Sequence, residues 1–294
     1  MTPSAPRWSP PWKAEHVSTT SDLFAASAPP AESIRVGIGG WVYAPWRNNF
    51  YPAGLVQRRE LEFASRQVTA IEINGTYYGA QKPATYAKWA AETPPGFVFS
   101  AKAPQRIVHA RTLAKTAAQV GDFLDGLSAL GDRLGPVVWQ FDKGRTIDRD
   151  DFARFVEQLP PQANGRALRH VIDMRVPEAV DREFIALLRR HGLAAVYTDS
   201  PEHPSFADVT ATDFVYARLM RSRSEVPTGY TAAELDAWAG RARTWAAGGE
   251  PEELPRVDPA PAPRRAREAF VFFIAAAKER NPAAAMALLQ RLRG

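Results

Sequence analysis

An α/β fold, a (β/α)8 barrel of the TIM type, is what this 294-residue sequence predicts, and three observations carry the prediction. Eight short apolar segments rich in β-branched and aromatic residues read as strands. Amphipathic helical stretches separate most of them, the pattern of parallel strands joined by crossovers. Eight such units in about 250 residues match a closed barrel. The rival is an open doubly wound sheet, which usually shows a glycine-rich phosphate turn after its first strand. Here "GIGGW" (37–41) lacks the G-x-G-x-x-G spacing and runs into "VYAPW", which does not begin a helix.

The elements follow in order. Residues 1–33 are rich in Pro, Ala and Ser, with Trp8, Pro10, Pro11 and Trp12, and lack the apolar core of a secretory signal. They read as a disordered or loosely docked arm, leaving 34–294 for one barrel domain. The strands are expected at 34–41, 70–78, 96–103, 136–141, 169–175, 194–200, 213–220 and 269–276. Asp148 and Asp181 stand where a helix N-cap belongs. Arg189, Arg190, His191 and Gly192 give the second of these helices a cationic, glycine-terminated end. Thr231 and Glu234 form a capping box, and Pro282 sits at a first helical position. Residues 112–130 read as the longest helix. Two places strain the pattern. About a dozen residues separate strands six and seven, room for a short helix at best. The Pro-rich stretch 248–268 is an irregular or disordered insertion before the last strand, entering from the N-terminal face.

Composition narrows the class. No apolar run reaches the ~18 residues of a membrane span. The chain has no cysteine, which excludes disulfides, thiolate metal sites and cysteine nucleophiles and makes the cytoplasm the expected location. The five histidines form no H-x-x-x-H or H-x-H pair, so no metal ligand set is assigned and no cofactor is named. A net charge of +5 favours acidic partners, nucleic acid among them. The basic residues are mostly Arg scattered beside Asp and Glu, as on solvated helix faces.

Strand alternation then selects inward side chains. In "AIEINGTYYG" (70–79), Ile71 and Ile73 face the helices, which turns Glu72, Asn74 and Thr76 inward. The same test picks Ser100 and Lys102, then Gln140, then Asp173 and Arg175, then Arg218 with Tyr216 one layer deeper. Among Thr198, Asp199 and Ser200 it does not choose. Barrel chemistry sits at the C-terminal strand ends, and an ionised group in a dry interior costs several kcal/mol unless paired. These residues are therefore either a polar site or ion pairs, Glu72–Lys102 and Asp173–Arg175, that plug the mouth. His109, in the loop after the third strand, is either a mouth residue titrating near neutrality or a neighbour of the next helix start. Trp41, Tyr43 and Trp46 either stack on a sugar or base or cover the barrel end.

The ordered motifs "GIGGWVYAPWRNNFYP" (37–52), "IEINGTYYGAQKPATYAKWAAETPPGFVFSAKAP" (71–104), "LGDRLGPVVWQF" (130–141), "DFVYARL" and "YTAAELDAWAGRARTWA" resemble the YecE-like family, also called domain of unknown function 72. The resemblance runs from about residue 34 to the end. It implies a TIM-type barrel and supplies no reaction. The family's E-x-N-S-T-F-Y stands here as "EINGTYY", keeping Glu72, Asn74, Thr76 and Tyr78. Its K-x-P…T-H is kept at Lys102, Pro104 and His109, with Val108 for Thr. Its Q-L-P-P becomes "QFDK", keeping Gln140. Its E-x-R followed by Trp becomes "DMRVPEAV", keeping an acid at Asp173 and the base at Arg175. Its R-L-H-G becomes "RLMR", with Arg218 kept and Met220 at the His position. Its final pair of Asn is absent from "FFIAAA". The half of the site near strands seven and eight is apolar, so either the ligand differs or the site has decayed.

Two functions fit. In the first, an enzyme binds a small polar or anionic molecule through Lys102, Arg175 and Arg218, with Glu72, Asp173 and His109 as catalytic acid–base groups and Asn74, Thr76, Tyr78 and Gln140 lining the site. Hydrolysis, isomerisation and lyase chemistry stay open. Glycoside hydrolysis needs carboxylates about 5 or about 6.5–9.5 Å apart, and strands three apart argue against the shorter spacing. In the second, a non-catalytic protein binds a nucleotide, sugar or single strand through Trp41, Tyr43, Tyr77 and Tyr78. A degenerate scaffold with partners on its Pro-rich arms is the third.

Overall fold

The structure, a computed structural model, describes residues 33–294. The arm expected over 1–33 lies, except for Ser33, outside the described residues. The barrel strands are β1 (Ile34–Gly39), β2 (Ala70–Ile73), β3 (Val98–Lys102), β4 (Leu134–Phe141), β5 (His170–Met174), β6 (Ala194–Thr198), β7 (Phe214–Leu219) and β8 (Glu268–Phe273). Each pairs in parallel with its neighbours in sequence, and β8 returns to β1 to close the barrel. The surrounding helices are α1 (Glu60–Gln67), α2 (Pro83–Glu92), α3 (Ala117–Leu127), α4 (Arg149–Glu157), α5 (Arg182–His191), α6 (Ala232–Ala246) and α7 (Asn281–Arg293). This is the (β/α)8 barrel the sequence predicts.

The caps act as the sequence reads. Asp148 accepts from the Asp151 N–H at 2.8 Å, and Asp181 from that of Phe184 at 2.9 Å. Gly192 closes α5 in the left-handed region at φ 66°. Thr231 and Glu234 complete their capping box on α6.

Alternation sorts the strand side chains into two apolar layers. Ala70, Val138, Val171, Val196, Phe214, Phe270 and Phe272 fill the barrel interior. Ile71, Ile73, Phe99, Trp139, Tyr197 and Leu219 pack outward against the helices. Tyr216 stacks on Phe272 with ring centroids 5.0 Å apart, so the β7–β8 side of the interior is aromatic. Gly37 makes this possible. A Cβ there would stand 2.4 Å from the Ala70 carbonyl oxygen and 2.7 Å from the Phe272 ring.

Three expectations need correction. Strand β2 ends at Ile73 rather than running to 78. Asn74 turns into helical backbone, and Gly75–Tyr77 forms a 3-10 turn. Thr76 drives this turn, since its hydroxyl contacts the carbonyls of Lys102 at 2.6 Å and Ile73 at 3.0 Å. Asn74, Thr76 and Tyr78 are thus placed by a turn, not by strand parity. The segment 112–130 is not one long helix, and the 15-residue α6 is longer than the 11-residue α3. The Asp151 carboxylate accepts from the Leu113 and Ala114 N–H groups, at 2.6 and 3.1 Å, and holds that end as a separate turn. The Pro-rich stretch is irregular as expected, yet it is docked. No helix lies between β6 and β7, and this stretch covers the gap. Buried Asp208 accepts from the N–H groups of Val257 and Asp258, both at 2.8 Å, and Ala207 N–H donates to Pro255 O at 2.7 Å.

Candidate functional site

The strand registers set Glu72 beside Ser100, Gln140 beside Asp173, and Thr198 beside Arg218. All of these point inward, near the C-terminal rim. Thr198 shares its side with Ala194 and Val196, which resolves the parity of β6. Asp199 turns away and accepts from the Met220 N–H and, at 2.9 Å, from the Tyr230 hydroxyl. Burial raises its pKa.

Arg218 is the hub. Its Nε and Nη2 donate to the two oxygens of Glu72 at 2.9 and 2.7 Å, a bidentate pair. Its Nη1 donates to Asp173 at 2.5 Å and to Gln140 Oε1 at 2.9 Å. Glu72 also accepts from the Tyr216 hydroxyl at 2.7 Å, which in turn lies 2.8 Å from Ser100 Oγ. Asp173 accepts from Arg175 Nε at 2.9 Å. Arg218, Glu72 and Asp173 are all buried. Burial disfavours the Arg218 cation, and Glu72 and Asp173 more than reverse this, so its pKa rises. The ion pairs are therefore Glu72–Arg218 and Asp173–Arg218–Arg175, and not the Glu72–Lys102 pair weighed from the sequence. A guanidinium fills the space between the two carboxylates, where a glycosidase would need its sugar.

A second group lies outside this network. Asp142 Oδ2 accepts from the Tyr77 hydroxyl at 2.7 Å and lies 3.0 Å from His109 Nε2; hydroxyl and imidazole are 3.1 Å apart. Gln140 joins the two groups, accepting from Arg218 and donating to Asp142 Oδ1. Burial works against the Asp142 carboxylate, and hydrogen bonds from Tyr77, Gln140 and His109 outweigh it, so its pKa falls. Burial and then Asp142 push the Tyr77 phenol up. The Lys102 ammonium rests 3.7 Å from the centre of the Tyr77 ring, a cation–π contact. Among the described residues no carboxylate lies within 4.0 Å of it. Burial, and then the charge of Arg218, bring its pKa down to about 8.

The other sequence-predicted residues are elsewhere or do less. Asn74 makes only a 3.4 Å contact with the Glu72 carbonyl. Tyr78 stands 81% exposed beside Tyr77. Trp41 packs edge-on to Trp89 at 4.9 Å and against Phe99, in the outer layer rather than over the mouth. Tyr43 lies against Trp46 and under the Lys278 ammonium. Two rim residues escaped the sequence reading. Asp142 was signalled by its position two residues past Gln140, which puts both on one face. His203, whose Nδ1 is buried without a hydrogen-bond partner, has its pKa lowered by burial and then by Arg175. No short-range sequence signal marks it. Among the described residues no group of three or more His, Asp or Glu is set to hold a metal ion. Nor is any helix among them long and apolar enough to cross a membrane.

A closed parallel (β/α)8 barrel with a charged, hydrogen-bonded rim defines the class of this protein. The chain belongs to the family described as "Protein of unknown function DUF72", whose model matches residues 35–294. The crystal structure of a DUF72 family protein from Thermotoga maritima is similar in fold, with a TM-score of 0.68 at 20% identity over 89% of this chain and 99% of that one. One from Enterococcus faecalis V583 gives 0.61 at 14% identity, over 88% and 97%. No curated protein matches the chain.

Proposed function

We propose that the barrel mouth binds a small anionic molecule and moves a proton on it. One observation carries this reading. The Lys102 ammonium lies at the mouth with no carboxylate of the described residues in ion-pair range, beside a hydroxyl, an imidazole and a carboxylate in mutual hydrogen-bond contact. Lys102 and the outer edge of Arg175 attract the anion, and His109 with Asp142 and Tyr77 supplies or takes the proton. Arg218 drops out as an anion ligand because it is buried and each of its three nitrogens is already bonded to Glu72, Asp173 or Gln140. Glu72 and Asp173 become positioning residues for the same reason. A stacking platform for nucleotides or sugars has less support, because Trp41 is committed to packing on Trp89.

Calorimetric titration with inorganic phosphate and with pyruvate tests the proposal. At least one should bind saturably to the wild type, and Lys102→Met or Arg175→Met should weaken it by about tenfold or more, ~1.4 kcal/mol. Arg66→Met on the opposite face should leave the affinity unchanged. Silence from both anions, or equal affinity across the variants, counts against an anion site at the mouth.

A further inference from the structure

We propose that Lys102 is a carbonyl-reactive amine, forming an imine with a small keto or aldehyde acid at the barrel mouth. This rests on the anion-site reading above and names its substrate class.

Position comes first. Lys102 is the last residue of β3, and its backbone carbonyl is tied to the Thr76 hydroxyl at 2.6 Å, so the root of the side chain is fixed. Alternation from buried Ser100 sends it toward the mouth. Its natural partner on the adjacent strand, Glu72, is held bidentately by Arg218. The amine is left against an aromatic face, with no carboxylate among the described residues in range to hold it as ammonium.

Its surroundings favour the neutral amine. Burial and the cations of Arg218 and Arg175 lower its pKa, against Glu72 and Asp142. At about 8, roughly a tenth of the amine is neutral at pH 7, about two orders of magnitude more than for an ordinary lysine. Desolvation and a neighbouring cation are the usual ways an imine-forming lysine is activated. Residue choice agrees. Only seven of the chain's 37 Lys and Arg residues are lysines. A guanidinium here would serve binding alone, since it neither deprotonates nor adds to a carbonyl.

The chemistry balances with groups at hand. The neutral nitrogen adds to the carbonyl carbon, and the carbonyl oxygen takes up a proton to give the carbinolamine. The C–O bond then breaks, and its hydroxyl leaves as water after a second proton reaches it. One of these two protons comes from the nitrogen and the other from the Tyr77–Asp142–His109 group, and the Lys102 nitrogen and substrate carbon are left double-bonded as the protonated imine. The Tyr77 ring beneath the amine carries the hydroxyl that meets Asp142 and His109, so donor and acceptor stand within one ring of the reacting nitrogen. Protonated, the imine is a cation. Glu72, Asp173 and Asp142 face Arg218 and Arg175, and one further positive charge makes the group neutral. Arg175 binds Asp173 through Nε and Nη2, leaving Nη1 without a partner among the described residues for the carboxylate of the acid.

Trapping tests this on the wild-type chain. The protein is incubated with pyruvate, or with acetone as a neutral ketone, under cyanoborohydride, and the adducts are mapped by mass spectrometry. Lys102 should be labelled by pyruvate about tenfold or more in excess of any other lysine. Acetone should show less preference for Lys102. Lys278 is the internal control, because burial also lowers its pKa and it too lies over aromatic rings, those of Tyr43 and Trp46. Equal labelling of Lys278 or of exposed lysines overturns the proposal. The Lys102→Arg variant should lose the dominant adduct while keeping measurable pyruvate binding by calorimetry. Saturable pyruvate binding by the wild type with no Lys102 adduct sinks the imine and spares the anion site. No Lys102 adduct together with no binding of either pyruvate or phosphate sinks both.

Discussion

The Arg218 group and the Tyr77 group share Gln140, and they differ in how their polar atoms are used. Around Arg218, each guanidinium nitrogen has a carboxylate or amide acceptor, and the cluster is buried. Around Tyr77, the His109 side chain is 37% exposed and the Lys102 ammonium has no carboxylate of the described residues in ion-pair range. The closed group turns every guanidinium nitrogen onto acceptors within itself. The open group presents a partly exposed imidazole and the Lys102 amine. The difference teaches that a line of inward charges at a barrel rim is not one site. The deeper charges bond one another and hold the rim in shape, and under the proposed function the outer ones meet the ligand.

The largest effect should come from breaking the closed group. Arg218→Met leaves Glu72 and Asp173 buried without their shared cation, and it should cost roughly 3–5 kcal/mol in urea unfolding. A loss below about 1 kcal/mol would mean that the carboxylates reach water or take up protons, and the contrast between the groups would collapse.

Lys102→Met should act in the opposite direction. The folded pKa of about 8 lies below the ordinary 10.5, so the unfolded chain binds more protons between these values. Wild-type stability from this group therefore rises with pH across that window, and its penalty is fully present below about 8. Removing the charge should stabilise the protein at pH 7 by roughly 1 kcal/mol, discounted for the partial exposure of the amine. The gain should shrink as pH climbs toward 10. Unfolding midpoints of both chains over that range check it, and a variant less stable at pH 7 would show that Lys102 is paired after all.

Tyr77→Phe should change least. It keeps the ring under Lys102 and removes one hydrogen bond to Asp142, a loss of about 0.5–1.5 kcal/mol by the same unfolding measurement. A larger loss would place the Tyr77 group with the closed network.

Much of this was legible from the chain. Period-two alternation placed Glu72, Ser100, Lys102, Gln140, Asp173 and Arg218 on the inner face, because a strand residue has only two sides to choose from. The same reasoning failed at Asn74 and Thr76, where β2 had already ended. The Asn74–Gly75 pair is a local turn signal that alternation alone passes over, and the turn is held by the Thr76 hydroxyl on the carbonyl of Lys102, a residue of the next strand. Trp41 read equally as a stacking surface or a cover, and Trp89 of α2 decided it. The Pro-rich stretch reads as an irregular or disordered insertion, and Asp208 on the segment between β6 and β7 binds it in place.

By itself the sequence determined the barrel, the inward set of charges and the apolar character of the β7–β8 side, because apolar periodicity and residue type are properties of single segments. The tertiary structure alone decided the pairing. Glu72 bonds Arg218, 146 residues away, rather than Lys102 on the adjacent strand. Barrel closure and stagger set which inward side chains meet across the interior, and that depends on all eight strands together.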